Sequence, residues 1–151
     1  MSKETPPDVT LGDVLDFMRV LWAVDHGLQS ASKRMRRAIG VTGPQRLVVR
    51  MVGRFPGVSA GRIADLLHLD PSTLTGVLKR LETMGAIKRT HDPKDARRAL
   101  FVLTDKGKAI DAQRSGTVEA LVRKVLAEIP PAKVQSAREV LEAIANELAR
   151  E

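Results

Sequence analysis

At 151 residues the chain is the length of one ordinary domain, and a hydrophobic content of 43% excludes an unfolded polymer. One tryptophan, no tyrosine and an aromatic share of 3% leave too few stacking surfaces for a single-stranded nucleic-acid binder, and the lack of cysteine excludes disulfides, thiol switches and thiolate metal sites. The net charge of +7 fits a polyanionic partner, and its placement tells more than its size: Lys79, Arg80, Lys88, Arg89, Lys94, Arg97 and Arg98 share one stretch with Glu82, Asp92 and Asp95 alone.

Residues 1–10 are polar and include Pro6 and Pro7, an expected flexible arm. They hold no apolar signal core, and no run in the chain is long enough to cross a bilayer, so a cytoplasmic protein without a membrane partner is expected. From Leu11, the residues Val14, Leu15, Met18, Leu21, Trp22, Leu28 and Met35 keep helical spacing, predicting one long helix over about 11–39. Lys33, Arg34, Arg36 and Arg37 precede Gly40, either a phosphate-facing patch or a solvated end that complements the helix dipole. Thr42 or Gly43 with Pro44 opens a second helix to Arg54, with Leu47, Val48 and Met51 expected inward.

Ser59 stands before Ile63, Leu66 and Leu67 as the cap of a short helix ending near His68. Asp70 and Pro71 then start another, whose stripe Leu74, Val77, Leu78 and Leu81 runs to a glycine cap at Gly85. Its other face carries Ser72, Thr73, Thr75, Gly76, Lys79 and Arg80, all small, hydroxyl-bearing or cationic. Such side chains suit DNA: the hydroxyls near the helix start for base edges, Lys79 and Arg80 for phosphates, and Gly76 either for close backbone approach or as a tolerated residue. After Gly85 the period falls to 2, predicting strands over 86–91 and 99–103 around a basic loop, 92–98, that contains Lys94, Asp95, Arg97 and Arg98. This hairpin suits a duplex backbone and minor groove.

Thr104 caps a further helix, read as continuous through Ile110, Val118, Leu121, Val122, Val125 and Leu126 with Gly116 inside it, and Pro130-Pro131 separates it from a last helix that begins near Ala132. The first helix and the last two are apolar over more surface than one small winged domain covers, so a homodimer is expected. Two-fold symmetry would set two reading helices in successive major grooves of a pseudopalindromic site. His26, His68 and His91 lack metal-ligand spacing, and no nucleophile elbow or phosphate loop is present, so no metal, cofactor or catalytic residue is expected.

Asp95-Ala96-Arg97 followed by Leu103-Thr104-Asp105-Lys106-Gly107 resembles the wing and subsequent helix start of MarR-family transcriptional regulators, and the resemblance extends over nearly the whole chain. It implies a mostly α (α+β winged helix) fold, with a winged helix-turn-helix at about 44–104 and dimerisation helices at about 11–39 and 104–150. It also implies a double-stranded DNA operator, with Arg97 in the minor groove and Asp95 orienting it. A small anionic or aromatic effector is implied in a cleft where Arg19, Trp22, His26 and Arg46 are the candidate contacts. Gly76 and Lys79 depart from the family's frequent arginine and acid, so the operator sequence is not carried over. The function implied is transcriptional regulation, most simply repression relieved by an effector. A ligand-independent architectural protein or a protein-interaction adaptor is the alternative, separable by competition with unrelated DNA.

Overall fold

Helix boundaries fall where capping residues place them in the computed structural model, which describes residues 11–150; the expected arm at 1–10 lies outside the described residues. In chain order the elements are α1 (Asp13–Ile39), α2 (Gly43–Arg54), β1 (Val58–Ser59), α3 (Ala60–Leu67), α4 (Pro71–Thr83), β2 (Ile87–Asp92), β3 (Asp95–Leu103), α5 (Asp105–Ala112), α6 (Val118–Leu126) and α7 (Pro131–Leu148). Thr42 and Gln45 close a capping box on α2, the Thr42 amide donating to Gln45 Oε1 at 3.0 Å. The Ser59 hydroxyl accepts from the Arg62 amide, and Asp70 accepts from the amides of Ser72 and Thr73. Gly40 and Gly85 end α1 and α4 at φ of 81° and 76°, values that L side chains avoid.

The core lies inside the winged unit. Val48, Val49 and Val52 of α2, Ile63 of α3, Leu74, Leu78 and Leu81 of α4, and Phe101 of β3 are buried together. The sheet is antiparallel in the order β1-β3-β2, with Val58 opposite Phe101 and Ile87 opposite Leu103. The mostly helical winged-helix fold is the expected one, with four local corrections.

The two-residue strand β1 was not expected, being too short to show a period. The wing is tighter than the turn-forming residues suggested: β3 begins at Asp95, so Asp95–Arg98 belong to a strand and the hairpin turns at Pro93-Lys94. In α2 the inward face is Arg46, Val48, Val49 and Val52, whereas Leu47 is 44% exposed, because Arg46 has internal partners for its charge. Finally, Gly116 does not sit inside a long helix. It takes φ 72°, the chain breaks over residues 113–117, and Thr117 caps α6 by accepting from the Ala120 amide.

That break is organised by Arg46, which is 2% exposed. Its Nε donates to Glu119 Oε1 at 2.8 Å, and its terminal nitrogens donate to the backbone carbonyls of Ile110 and Gln113. Beside it Arg50 pairs with Asp111 at 2.7 Å. Burial opposes the charge of Glu119, but the Arg46 hydrogen bond, its own backbone amide and the Arg46 and Arg50 charges outweigh it and hold the carboxyl below the ordinary glutamate value. A second clasp joins α5 to the end of α4. The Thr104 hydroxyl donates to the Gly85 carbonyl, Lys106 Nζ donates to the Met84 carbonyl at 2.8 Å, and Gly107 packs so closely that a β-carbon would lie 2.0 Å from the Ala86 carbonyl oxygen.

Gly107→Ala should therefore destabilise by at least about 3 kcal/mol, since the collision is with backbone; an unchanged Tm would contradict the packing. Arg46→Ala should cost about 2–3 kcal/mol in chemical denaturation, a value moderated because Glu119 stays 34% exposed. As pH falls, the unfolded chain protonates Glu119 before the folded chain does, so the pair's contribution is full at neutral pH and is lost on acidification through the lowered pKa. Glu119→Gln should flatten that part of the stability curve; a stability gap from wild type that stays constant into acid would rule out the assignment.

Candidate nucleic-acid interface

The outward face of α4 is set by its cap. Asp70 accepts from the Ser72 hydroxyl and, through Oδ2, from the amides of Thr73 at 3.3 Å and Ser72 at 2.9 Å, which together hold its carboxyl below the usual aspartate value. Pro71 supplies the first helical residue with no amide to satisfy. Ser72, Thr73, Thr75, Gly76, Lys79 and Arg80 are all exposed, while Leu74, Leu78 and Leu81 face the core. The three hydroxyls are not equivalent. Ser72 gives its proton to Asp70, and Thr75 gives its proton to the Pro71 carbonyl at 2.8 Å. Both therefore present lone pairs outward, and among the described residues only the Thr73 hydroxyl of the three has no partner for its proton.

On the wing, the acids serve the backbone. Asp92 accepts from the Lys94 amide at 2.9 Å, and Asp95 accepts from the Arg97 amide at 3.0 Å. Asp95 thus fixes the strand from which Arg97 projects and makes no bond to its guanidinium. Arg98 turns back, donating to the Ser59 hydroxyl at 3.1 Å and lying 3.9 Å from Asp92, and so ties the wing to the cap of α3. Arg89 pairs with Glu82 at 3.0 Å and lies 5.4 Å from the centre of the Phe101 ring.

Each acid from Asp70 to Arg98 is consequently engaged, while five cations, Lys79, Arg80, Lys88, Lys94 and Arg97, have side chains with no hydrogen bond or ion pair among the described residues. Arg62, which the sequence reading passed over, joins them. It lies in the first turn of α3, and it lines an open groove with Ser59, Gly61, Arg97, Arg98 and one acid, Asp65. Its position three residues after the Ser59 cap was the available signal. The surface is one of unspent donors around a helix face and a hairpin, the chemistry that holds phosphates and reads base edges.

The effector candidates are not brought together. Arg19, Trp22 and His26 share one face of α1 by their spacing of three and four residues. Arg19 lies 3.3 Å from Asp16, Trp22 is 62% exposed and His26 is exposed. Arg46 is buried with its donors engaged, so it is a strut between elements and not an open cation for a ligand. Lys33, Arg34, Arg36 and Arg37 are exposed at the end of α1. Among the described residues no helix is long and apolar enough to cross a membrane.

A family model described as MarR family matches residues 41–99, from the turn before α2 into β3. The HTH-type transcriptional regulator TtmR of Methylorubrum extorquens is 36% identical over 90 residues, which are 60% of this chain and 46% of that protein; this chain thus spans about half the length of that relative. The HTH-type transcriptional repressor Rv2887 of Mycobacterium tuberculosis is 27% identical over 109 residues, 72% of this chain and 78% of the other. MepR of S. aureus, solved as a DNA complex, shares the fold with a TM-score of 0.73 at 16% identity, over 87% of this chain and 97% of that one. The central segment of the chain is thus similar to the MarR family, and its winged fold is shared along most of its length.

Proposed function

We propose that the chain is a transcriptional regulator that binds double-stranded DNA at a pseudopalindromic operator as a homodimer, most simply a repressor. The observation that carries this reading is the division of charge from Asp70 to Arg98: every acid is engaged within the fold, and Lys79, Arg80, Lys88, Lys94 and Arg97 have no side-chain partner among the described residues. α4 enters the major groove with Ser72, Thr73, Thr75 and Gly76 toward the bases and Lys79 and Arg80 toward phosphates. The wing places Arg97 in the minor groove, with Lys94 and Arg98 beside the backbone and Asp95 holding the strand. The names of the relatives above, a regulator and a repressor, and the DNA in the MepR structure support this assignment.

Dimerisation is supported by what one chain leaves uncovered. Neither α6 nor α7 has a buried residue, and Leu121, Val122, Val125, Leu126, Val140 and Leu141 are exposed, as are Val14, Leu15 and Trp22 of α1. A second copy that covers these faces fixes the spacing of two α4 helices at about one helical turn of DNA. Residues of about 11–39 and 104–150 serve the dimer in this scheme, and about 44–104 serve the DNA. A small anionic or aromatic effector that binds beside Trp22, His26 and Arg19 and favours one dimer arrangement would relieve repression through differential affinity for the two states.

Selection of bound fragments from a random duplex pool tests the reading: an enriched pseudopalindrome supports it, and no enrichment removes it. Arg97→Ala should weaken binding to the selected site by roughly 1–3 kcal/mol while sedimentation still shows a dimer; normal affinity would sink the wing assignment. Affinity should fall steeply with added salt as counterions are no longer released at a gain, and a flat response would contradict the phosphate contacts. Truncation before Ala132 should yield monomer or aggregate. A soluble dimer from that variant would take α7 out of the interface.

A further inference from the structure

Gly76 lies at the centre of the outward face of α4, three or four residues from Ser72, Thr73, Lys79 and Arg80, and nothing in the folded chain requires a glycine there. Its φ is outside the left-handed region, and a β-carbon added to it would meet no atom within 4 Å. Gly107 is the opposite case, with backbone where its β-carbon would be. A glycine inside a helix is unfavourable relative to alanine, so the missing carbon at Gly76 answers to something outside the chain.

Its absence makes a notch of bare backbone, flanked by Thr73 and by the aliphatic stems of Lys79 and Arg80. The apolar group that projects from the floor of a major groove is the C5 methyl of thymine. Thr75, whose proton is committed to the Pro71 carbonyl, offers lone pairs next to this notch, and the adenine of a T·A pair offers an amino donor in the same groove.

We propose that Gly76 determines specificity: its notch seats one thymine methyl in each half-site and lets α4 lie closer to the bases than any residue with a side chain would allow. The proposal rests on the DNA-binding reading above.

The test takes the duplex selected by the wild-type protein and replaces its thymines one at a time with deoxyuridine, which keeps the pairing and lacks the methyl. Wild type should lose about fourfold in affinity at one position per half-site, the worth of one buried methyl. Gly76→Ala should bind the original duplex more weakly, be indifferent to that same replacement, and unfold at no lower temperature than wild type. If both proteins respond alike to every replacement, the notch assignment is wrong and the DNA-binding reading stands. A lower unfolding temperature for Gly76→Ala would also overturn the proposal, because the glycine would then serve the fold. If wild type enriches no duplex at all, both readings fall together.

Discussion

The guanidinium of Arg46 is the point through which the winged unit and the C-terminal helices hold each other. A buried, unpaired cation would cost far more than the whole fold can spare, so its partners must be supplied together. Glu119 gives the countercharge, and the carbonyls of Ile110 and Gln113 take the remaining donors. Those carbonyls belong to the last turn of α5 and the linker after it, and the Ile110 carbonyl also accepts from the Gln113 amide. One side chain on α2 thereby caps α5, shapes the linker and anchors α6. The orientation of α6 relative to α4 passes through this contact, since α2 packs on α4 in the core and on α5 at its other face.

Charge is sorted by task along the middle of the chain. Asp70, Asp92 and Asp95 shape backbone, and Glu82 steadies Arg89 on the inner part of the wing. These acids are thus committed to backbone amides and to Arg89, and among the described residues none of them pairs with Lys79, Arg80, Lys88, Lys94 or Arg97. Tying Arg98 to Ser59 does the same for geometry: the wing is referenced to the start of α3, so hairpin and helix-turn-helix present themselves as one body.

Legibility in the sequence followed locality. Caps at Ser59, Asp70 and Thr104, the glycine stops at Gly40 and Gly85, and the stripe Leu74, Leu78, Leu81 depend on residues within one or two turns, and they were readable. The break at 113–117 was not, because a helical stripe can be traced across it and its cause, Arg46, lies about seventy residues away in sequence. The same distance hid the burial of Arg46, which composition alone assigns to the surface. The outward residues of α4 could be named from the pattern, but not which hydroxyls keep a free proton, since that depends on where Ser72 and Thr75 turn. The effector set was least legible: three members share a face of α1, and the fourth was a structural cation.

Neither α6 nor α7 has a buried residue, and an isolated helix as short as α6 is marginal in water. If the proposed homodimer covers them, folding of the C-terminal third is a matter of concentration as much as of sequence. In the proposed homodimer a newly made chain would complete its structure only once a second is present, and copies in excess of their partners would keep helices that fray and attract proteases. Such a dimer would set a floor on its own abundance: below it, chains would be short-lived as well as unpaired, and occupancy of the proposed operator would switch over a narrower range of expression than a stable monomer could give.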